Sequence, residues 1–186
     1  MRVVAGKYGS RPLKAVPGMN TRPTTDKVKE SLFNMLGGRL FSNKVLDFYG
    51  GSGALAIEAV SRGAESAVIC ENNRQAISTI QQNIEITKES ELFEILVGDN
   101  HNTIASFCQQ HPDHRFDLVL LDPPYKNQTI VKDIELFDRF NCLSENFIIM
   151  CETDNQTDLP ENIAAFVQKK CKKYGQTVIR FYERGS

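Results

Sequence analysis

The tetrapeptide Asp122-Pro123-Pro124-Tyr125 sets a carboxylate, two residues without an N–H and a phenol ring in consecutive positions. Paired prolines hold the chain extended and remove donors, so the carbonyls of Asp122 and Pro123 can be presented rigidly to a planar donor. Tyr125 can stack on an aromatic ring. Together these groups suit the exocyclic amine of a nucleobase, which must leave its stack to be reached. A second constellation, Asp47-Phe48-Tyr49-Gly50-Gly51-Ser52-Gly53-Ala54-Leu55-Ala56, reads as a glycine-rich turn from a strand into a helix. Glycines there permit positive φ and close approach of a ligand, and the helix behind offers free N–H groups. Gly51-x-Gly53-x-x-Ala56 also fits the dinucleotide fingerprint, with Glu71 about 20 residues on as the ribose-binding acid. Asp47, placed before the glycines, would repel a pyrophosphate but attract an ammonium group. That favours S-adenosylmethionine, whose methionine end is zwitterionic and whose sulfur is cationic. An NAD-binding oxidoreductase or a non-catalytic dinucleotide module is the rival class, and it leaves the tetrapeptide unexplained.

These groups need elements to hold them. From residue 44 onward short apolar runs alternate with helical periodicity, the pattern of βαβ units and a parallel sheet. Five runs each lead to an acidic residue: Val45-Leu46 to Asp47, Ala67 to Cys70 then Glu71, Phe93 to Val97 then Asp99, Phe116 to Leu121 then Asp122, and Phe147 to Cys151 then Glu152. In an open α/β sheet the carboxyl edge of the strands is where ligands bind. Helices are expected at 53–62, 73–88, 100–110 and 128–140. An earlier helix, capped by Thr24, carries Val28, Leu32, Met35 and Leu36 on one face and stops at Gly37-Gly38. Residues 177–182 read as a final antiparallel strand. The expected fold is a Rossmann-like α/β unit with a mostly parallel seven-stranded sheet and helices on both faces. A short basic hairpin or arm, residues 1–23, packs on it within one domain.

Composition narrows the class. A hydrophobic fraction of 41% against 24% charged residues excludes disordered and coiled-coil readings over 186 residues. The apolar runs are too short to span a bilayer, and a cytoplasmic protein is expected. Five dispersed cysteines without a CxxC argue for free thiols, and the Cys108, His111 and His114 spacing is read as a polar loop rather than a metal site. The net charge of −1 conceals polarity: residues 1–44 carry +7, residues 166–186 carry +5, and the middle carries −13. Basic ends on an acidic body suggest a polyanion partner. Glu58 and Arg62, four apart, read as a surface pair or brace.

Asp47-x-x-Gly-Gly-Ser-Gly, Glu71 and Asp122-Pro-Pro-Tyr together resemble the class I S-adenosylmethionine-dependent amino-methyltransferases. The chain is similar in particular to the bacterial small-subunit ribosomal RNA guanine-N2 methyltransferases of the RsmD type. The likeness runs nearly end to end, through Arg2 to Lys7, Thr21-Arg22-Pro23-Thr24, Glu58 to Ala64 and Lys173-Tyr174-Gly175. Phe48-Tyr49-Gly50 departs from the Leu-Phe-Ala usual in that family. The resemblance implies that Asp47 and the turn Gly50, Gly51, Ser52 and Gly53 hold the methionine end, Glu71 the ribose, and Asp99 with Asn100 the adenine. It implies that Asp122 and the Pro123 carbonyl accept from a guanine N2 amine while Tyr125 stacks on the base, with no metal required. Arg2, Lys7, Arg11, Arg22 and Lys27 would face RNA. The partner implied is small-subunit ribosomal RNA or the small subunit itself, met by a monomer with no membrane contact. Methylation of adenine or cytosine amines in DNA or another RNA stays open as the alternative.

Overall fold

The computed structural model describes residues 1–19, 24–124, 126 and 128–186. Arg22 and Tyr125, two of the expected site residues, lie outside the described residues. The chain order is α1 (Asp26–Leu36), β1 (Lys44–Asp47), α2 (Ala54–Ser61), β2 (Ser66–Glu71), α3 (Arg74–Thr87), β3 (Phe93–Val97), α4 (Asn100–Gln110), β4 (Phe116–Leu121), α5 (Ile130–Phe140), β5 (Leu143–Asp154), β6 (Asn162–Ile163), β7 (Phe166–Tyr174) and β8 (Thr177–Arg184). The sheet order is β3-β2-β1-β4-β5-β8-β7-β6. The pairs β1 with β2, β2 with β3, β1 with β4, and β4 with β5 are parallel, and β8 closes antiparallel on β5. The order reverses between β1 and β4, which makes their carboxyl ends the topological switch point.

The expected seven strands become eight, because the two-residue β6 pairs with the start of β7. Strand β5 is 12 residues long rather than the five legible as an apolar run, since pairing with β8 extends it through Glu152 and Asp154. After the buried Leu143, Ser144, Glu145 and Asn146 are polar and interrupt the hydrophobic signal. The basic run Lys169 to Lys173 lies in β7, a strand whose only outer neighbour is β6 at its first residues.

Two apolar cores sandwich the sheet. Val45, Ala67, Ile69, Leu118, Leu120, Ile148 and Met150 pack with α1, α2, α3 and the arm residues Val3, Tyr8 and Leu13. Leu46, Val68, Cys70, Val119, Leu121, Ile149 and Cys151 pack with α4 and α5. Burial of each such Val, Leu, Ile or Phe contributes roughly 1.5–3 kcal/mol, so both faces hold the strands in register.

Helix α1 begins one residue later than the sequence suggests. Thr25, not Thr24, is its cap and accepts from Val28 N at 3.3 Å, which leaves the Thr24 hydroxyl to reach Glu152. The stripe also includes Lys29 and Phe33, both buried. Lys29 Nζ lies 3.6 Å from Glu58, and neither side chain is exposed. Glu58 and Arg62 therefore form a buried brace, not a surface pair: Glu58 takes Arg62 Nε at 2.8 Å and the arm amides of Val4 and Ala5 at 2.8 and 3.1 Å. Ser61 adds Oγ as acceptor for Tyr8 N and its carbonyl for Lys7 N. Gly6 sits at φ +87°, and a Cβ there would fall 2.0 Å from the Ser61 carbonyl oxygen, so only glycine lets the arm approach α2 this closely.

Candidate active site

Successive strand residues point to opposite faces, so the carboxylates at the strand ends are placed by parity. Val45, Ile69, Leu120 and Met150 all face the α1–α3 core. Two residues further on each strand come Asp47, Glu71, Asp122 and Glu152. All four therefore lie on that one face at the carboxyl edge. The sheet order ranks them Glu71, Asp47, Asp122, Glu152 across β2, β1, β4 and β5.

The turn after β1 is fixed by backbone bonds: Phe48 N to Leu120 O, Gly50 N to Cys70 O and Gly53 N to Gly50 O. Gly51 and Gly53 hold φ of +59° and +80°. A Cβ on Gly50 would lie 2.6 Å from Ile69 Cγ2, so the turn sits directly on β2. Gly53 caps α2 in the left-handed region, leaving the first N–H groups of that helix directed at the edge.

Asp47 is 1% exposed, and neither carboxylate oxygen has a hydrogen-bond partner among the described residues. Burial, then the nearby Glu71 charge, pushes its pKa well above the ordinary carboxylate value, while the amides of Ala56 and Tyr49 face it and pull weakly the other way. A buried acceptor left unsatisfied costs roughly 1–3 kcal/mol or more. Glu71 is instead firmly held, accepting from Gly51 N at 2.8 Å, Asn72 N at 2.9 Å and Asn73 N at 3.0 Å. Asp99 caps α4 by accepting from Asn102 N. Asn100 Nδ2 donates to Phe48 O at 3.2 Å, so the strand-three end and the glycine turn are tied together.

Asp122 follows β4, and burial followed by the charges of Glu152 and Asp47 raises its pKa well above the usual value. Pro123 is buried and Pro124 exposed. Glu152 is 3% exposed; burial raises its pKa, offset by the Thr24 hydroxyl, which lies 3.2 and 3.4 Å from its two oxygens. This edge is thus acidic, poor in internal donors, and suited to a ligand that carries positive charge and N–H groups. Among the described residues no His, Cys, Asp and Glu cluster has the arrangement of a metal site, and no helix is long and apolar enough to cross a membrane.

Of the expected RNA-facing cations, Arg2 pairs with Asp26 at 2.9 Å, Lys7 with Glu89 at 2.5 Å, and Arg11 donates to the Ile86 and Thr87 carbonyls at the end of α3. Lys27 is exposed on α1. The first three thus fasten the arm to the body.

Two arrangements were not anticipated. Glu152, the acid that follows the fifth apolar run, completes the carboxylate row. On the opposite face, buried Asp133 accepts from Tyr49 Oη at 2.5 Å, Thr129 Oγ1 at 3.1 Å and His101 Nε2 at 2.7 Å. Phe48 packs edge-on against Tyr49, His101 and Phe137 in that same core. The unusual Phe48-Tyr49 pair therefore anchors the glycine turn from behind and does not line the carboxylate face. The available signal was Asp133 itself, a charge in the apolar stripe of Ile130, Ile134 and Phe137.

An open sheet with this strand order, a glycine turn after β1 and an acidic switch-point edge defines a class I methyltransferase fold. Comparison with known proteins narrows this. The family model described as "Conserved hypothetical protein 95" matches residues 1–183. The chain is 37% identical to "Putative rRNA methyltransferase YlbH" of Bacillus subtilis over 99% of both chains. It is 29% identical to "Ribosomal RNA small subunit methyltransferase D" of Escherichia coli, covering 99% of this chain and 90% of the relative. A solved structure, a conserved hypothetical protein of Streptococcus pyogenes, superposes with a TM-score of 0.76 at 42% identity, covering 85% of this chain and 96% of that one. The chain belongs to the Conserved hypothetical protein 95 family, the RsmD-like methyltransferases.

Proposed function

We propose that the protein transfers a methyl group from S-adenosylmethionine to the exocyclic N2 amine of a guanine in small-subunit ribosomal RNA. The single observation that carries this reading is Asp47: a buried carboxylate with no hydrogen-bond partner among the described residues, beside a glycine turn and next to Asp122 on one sheet face. Such a group makes physical sense when a bound cation completes it. The ribosomal substrate is supported by what the relatives are named for.

In this reading Asp47 and the turn Gly50 to Gly53 hold the ammonium and carboxylate of the methionine end, Glu71 the ribose hydroxyls, and Asp99 with Asn100 the adenine. When bound, the sulfonium supplies an electrophilic methyl, so that a new N–C bond forms as the C–S bond breaks and its electron pair returns to sulfur. Asp122 accepts from one hydrogen of the guanine amine and the Pro123 carbonyl from the other, which aims the nitrogen lone pair along the sheet edge toward the cofactor. Tyr125 stacks on the flipped base. The amine carries an extra proton after transfer; Asp122, whose pKa is raised by burial and by Glu152, receives it and passes it to water. Catalysis is chiefly positioning and electrostatics.

The test is methyl transfer from labelled S-adenosylmethionine by the wild type and Asp122→Ala. The substrates are small subunits and deproteinised ribosomal RNA from cells lacking the gene. N2-methylguanosine formed by the wild type and reduced at least a hundredfold in the variant is expected. Label on another base, or none on either substrate despite cofactor binding, overturns the assignment.

A further inference from the structure

Glu152 has no task in the chemistry above, yet it occupies the last place in the carboxylate row. In the β4–β5 register Leu121 pairs with Cys151, so Asp122 and Glu152 are the next residues along two adjacent parallel strands. Such strands lie roughly 4.8 Å apart. Glu152 is on the side of Asp122 away from Asp47 and Glu71, the side left over once the cofactor half is assigned. Its carboxylate is 3% exposed, and its one hydrogen bond among the described residues is the long, shared contact from Thr24 Oγ1. An ionised carboxyl group has about four acceptor positions, so most of its capacity is unused. No salt bridge among the described residues reaches either Asp122 or Glu152. Two carboxylates side by side, Glu152 buried and Asp122 partly so, are short of donors among the described residues and suit a ligand that brings N–H groups.

We propose that Glu152 is the residue that selects guanine, its carboxylate accepting the N1–H of the target base while Asp122 accepts from the neighbouring N2 amine. This rests on the guanine reading above. Guanine is the base whose pairing edge carries a ring N–H directly beside an exocyclic amine. Adenine and cytosine present a ring nitrogen acceptor at the corresponding place, and a buried carboxylate there repels them. The donors also relieve the pair: in the free protein burial raises both carboxyl groups and the Glu152 charge raises Asp122 further, and N–H groups arriving with the base favour the ionised forms. Thr24 Oγ1 donates to Glu152 and helps to orient its carboxylate.

The proposal separates from a purely structural role through the analogue 2-aminopurine, which keeps the 2-amino group but has an acceptor at N1. Small subunits are assembled on ribosomal RNA carrying either guanine or 2-aminopurine at the position the wild type methylates, and kcat/KM is measured for both. The wild type should prefer guanine by about tenfold to a hundredfold, the worth of one good polar contact to a base. Glu152→Gln, whose amide can turn its N–H toward that acceptor, should shrink the preference at least about tenfold while S-adenosylhomocysteine affinity stays within about twofold. Thr24→Val, which removes the tie and keeps the carboxylate, should retain the wild-type ratio. A wild type that methylates both bases equally overturns the proposal, as does a Glu152→Gln ratio equal to wild type or a Thr24→Val that copies the Glu152→Gln shift. If the wild type methylates no guanine N2 in the unmodified subunit, the underlying reading fails and this one falls with it.

Discussion

Asp47 shows how a functional residue can be a cost to the free protein. Its carboxylate is buried, without a hydrogen-bond partner among the described residues, and close to Glu71. Asp47→Asn removes that charge at nearly constant volume, so the variant should be more stable than wild type in the absence of ligand and should bind S-adenosylhomocysteine about tenfold to a hundredfold more weakly, the worth of a hydrogen bond to a charged group. Thermal unfolding and titration calorimetry read the two effects on the same samples; a destabilised variant with full affinity would contradict the role. The pH dependence has a definite sign. The folded pKa is raised above the unfolded one, so the native state holds the proton more tightly, and the penalty grows as pH rises from the ordinary carboxylate value toward the folded pKa. The melting-temperature gap between Asp47→Asn and wild type should therefore widen on raising pH from about 4.5 to 7.5 and close on acidification. At this scale the sequence showed Asp47, Glu71 and Asp122 because each is an acid ending an apolar run. It hid the contacts of Glu152 and Asp133, since Thr24 is 128 residues from the first and Tyr49 is 84 from the second.

Elements were legible wherever an apolar pattern and a cap agreed. The expected helix at 73–88 is Arg74–Thr87, because Asn73 caps it by accepting from Ala76 N and Lys88 turns left-handed after it. Pattern alone misjudged α1, where Lys29 occupies the stripe of Leu32, Phe33 and Leu36 and is fully buried. Burial lowers the pKa of its ammonium, and Glu58 holds it charged. Glu58 thereby joins three elements: α1 through Lys29, α2 through Arg62, and the arm through the amides of Val4 and Ala5. Glu58→Ala strands a buried cation and two amides, so it should lower stability by about 3–5 kcal/mol and free the arm for tryptic cleavage at Lys7 or Arg11. Urea unfolding and timed proteolysis measure both. Pairing Glu58→Leu with Lys29→Met should recover only part of the stability, because packed apolar groups replace the Lys29–Glu58 pair but Arg62 loses its acceptor, and should leave the arm susceptible, because its amides have lost theirs.

At the scale of the whole molecule, the two basic ends of the chain meet at α1. The arm pairs with it through Arg2 and Asp26, and from the other terminus Lys170 Nζ donates to the Met35 carbonyl while Arg39, just past α1, pairs with Glu183 of β8. Sequence arithmetic gave the two charges of +7 and +5 but not their adjacency, which follows from β8 folding back antiparallel on β5. Within this region Arg2, Lys7 and Arg11 are already engaged in intrachain contacts, whereas Lys169, Lys172 and Lys173 are exposed on β7. Those three lysines, like Lys27 on α1, thus have less to give up on meeting phosphates than Arg2, Lys7 and Arg11. Counterion release makes log K fall linearly with log salt, by roughly 0.7–0.9 per phosphate neutralised. Replacing Lys169, Lys172 and Lys173 together with Ala should weaken small-subunit binding at low salt and flatten that slope by about 2. Cofactor affinity should not change, because three strands, β4, β5 and β8, separate β7 from β1 in the sheet. A slope equal to wild type would mean that RNA docks elsewhere, and the arm would then have to exchange its internal partners for phosphates.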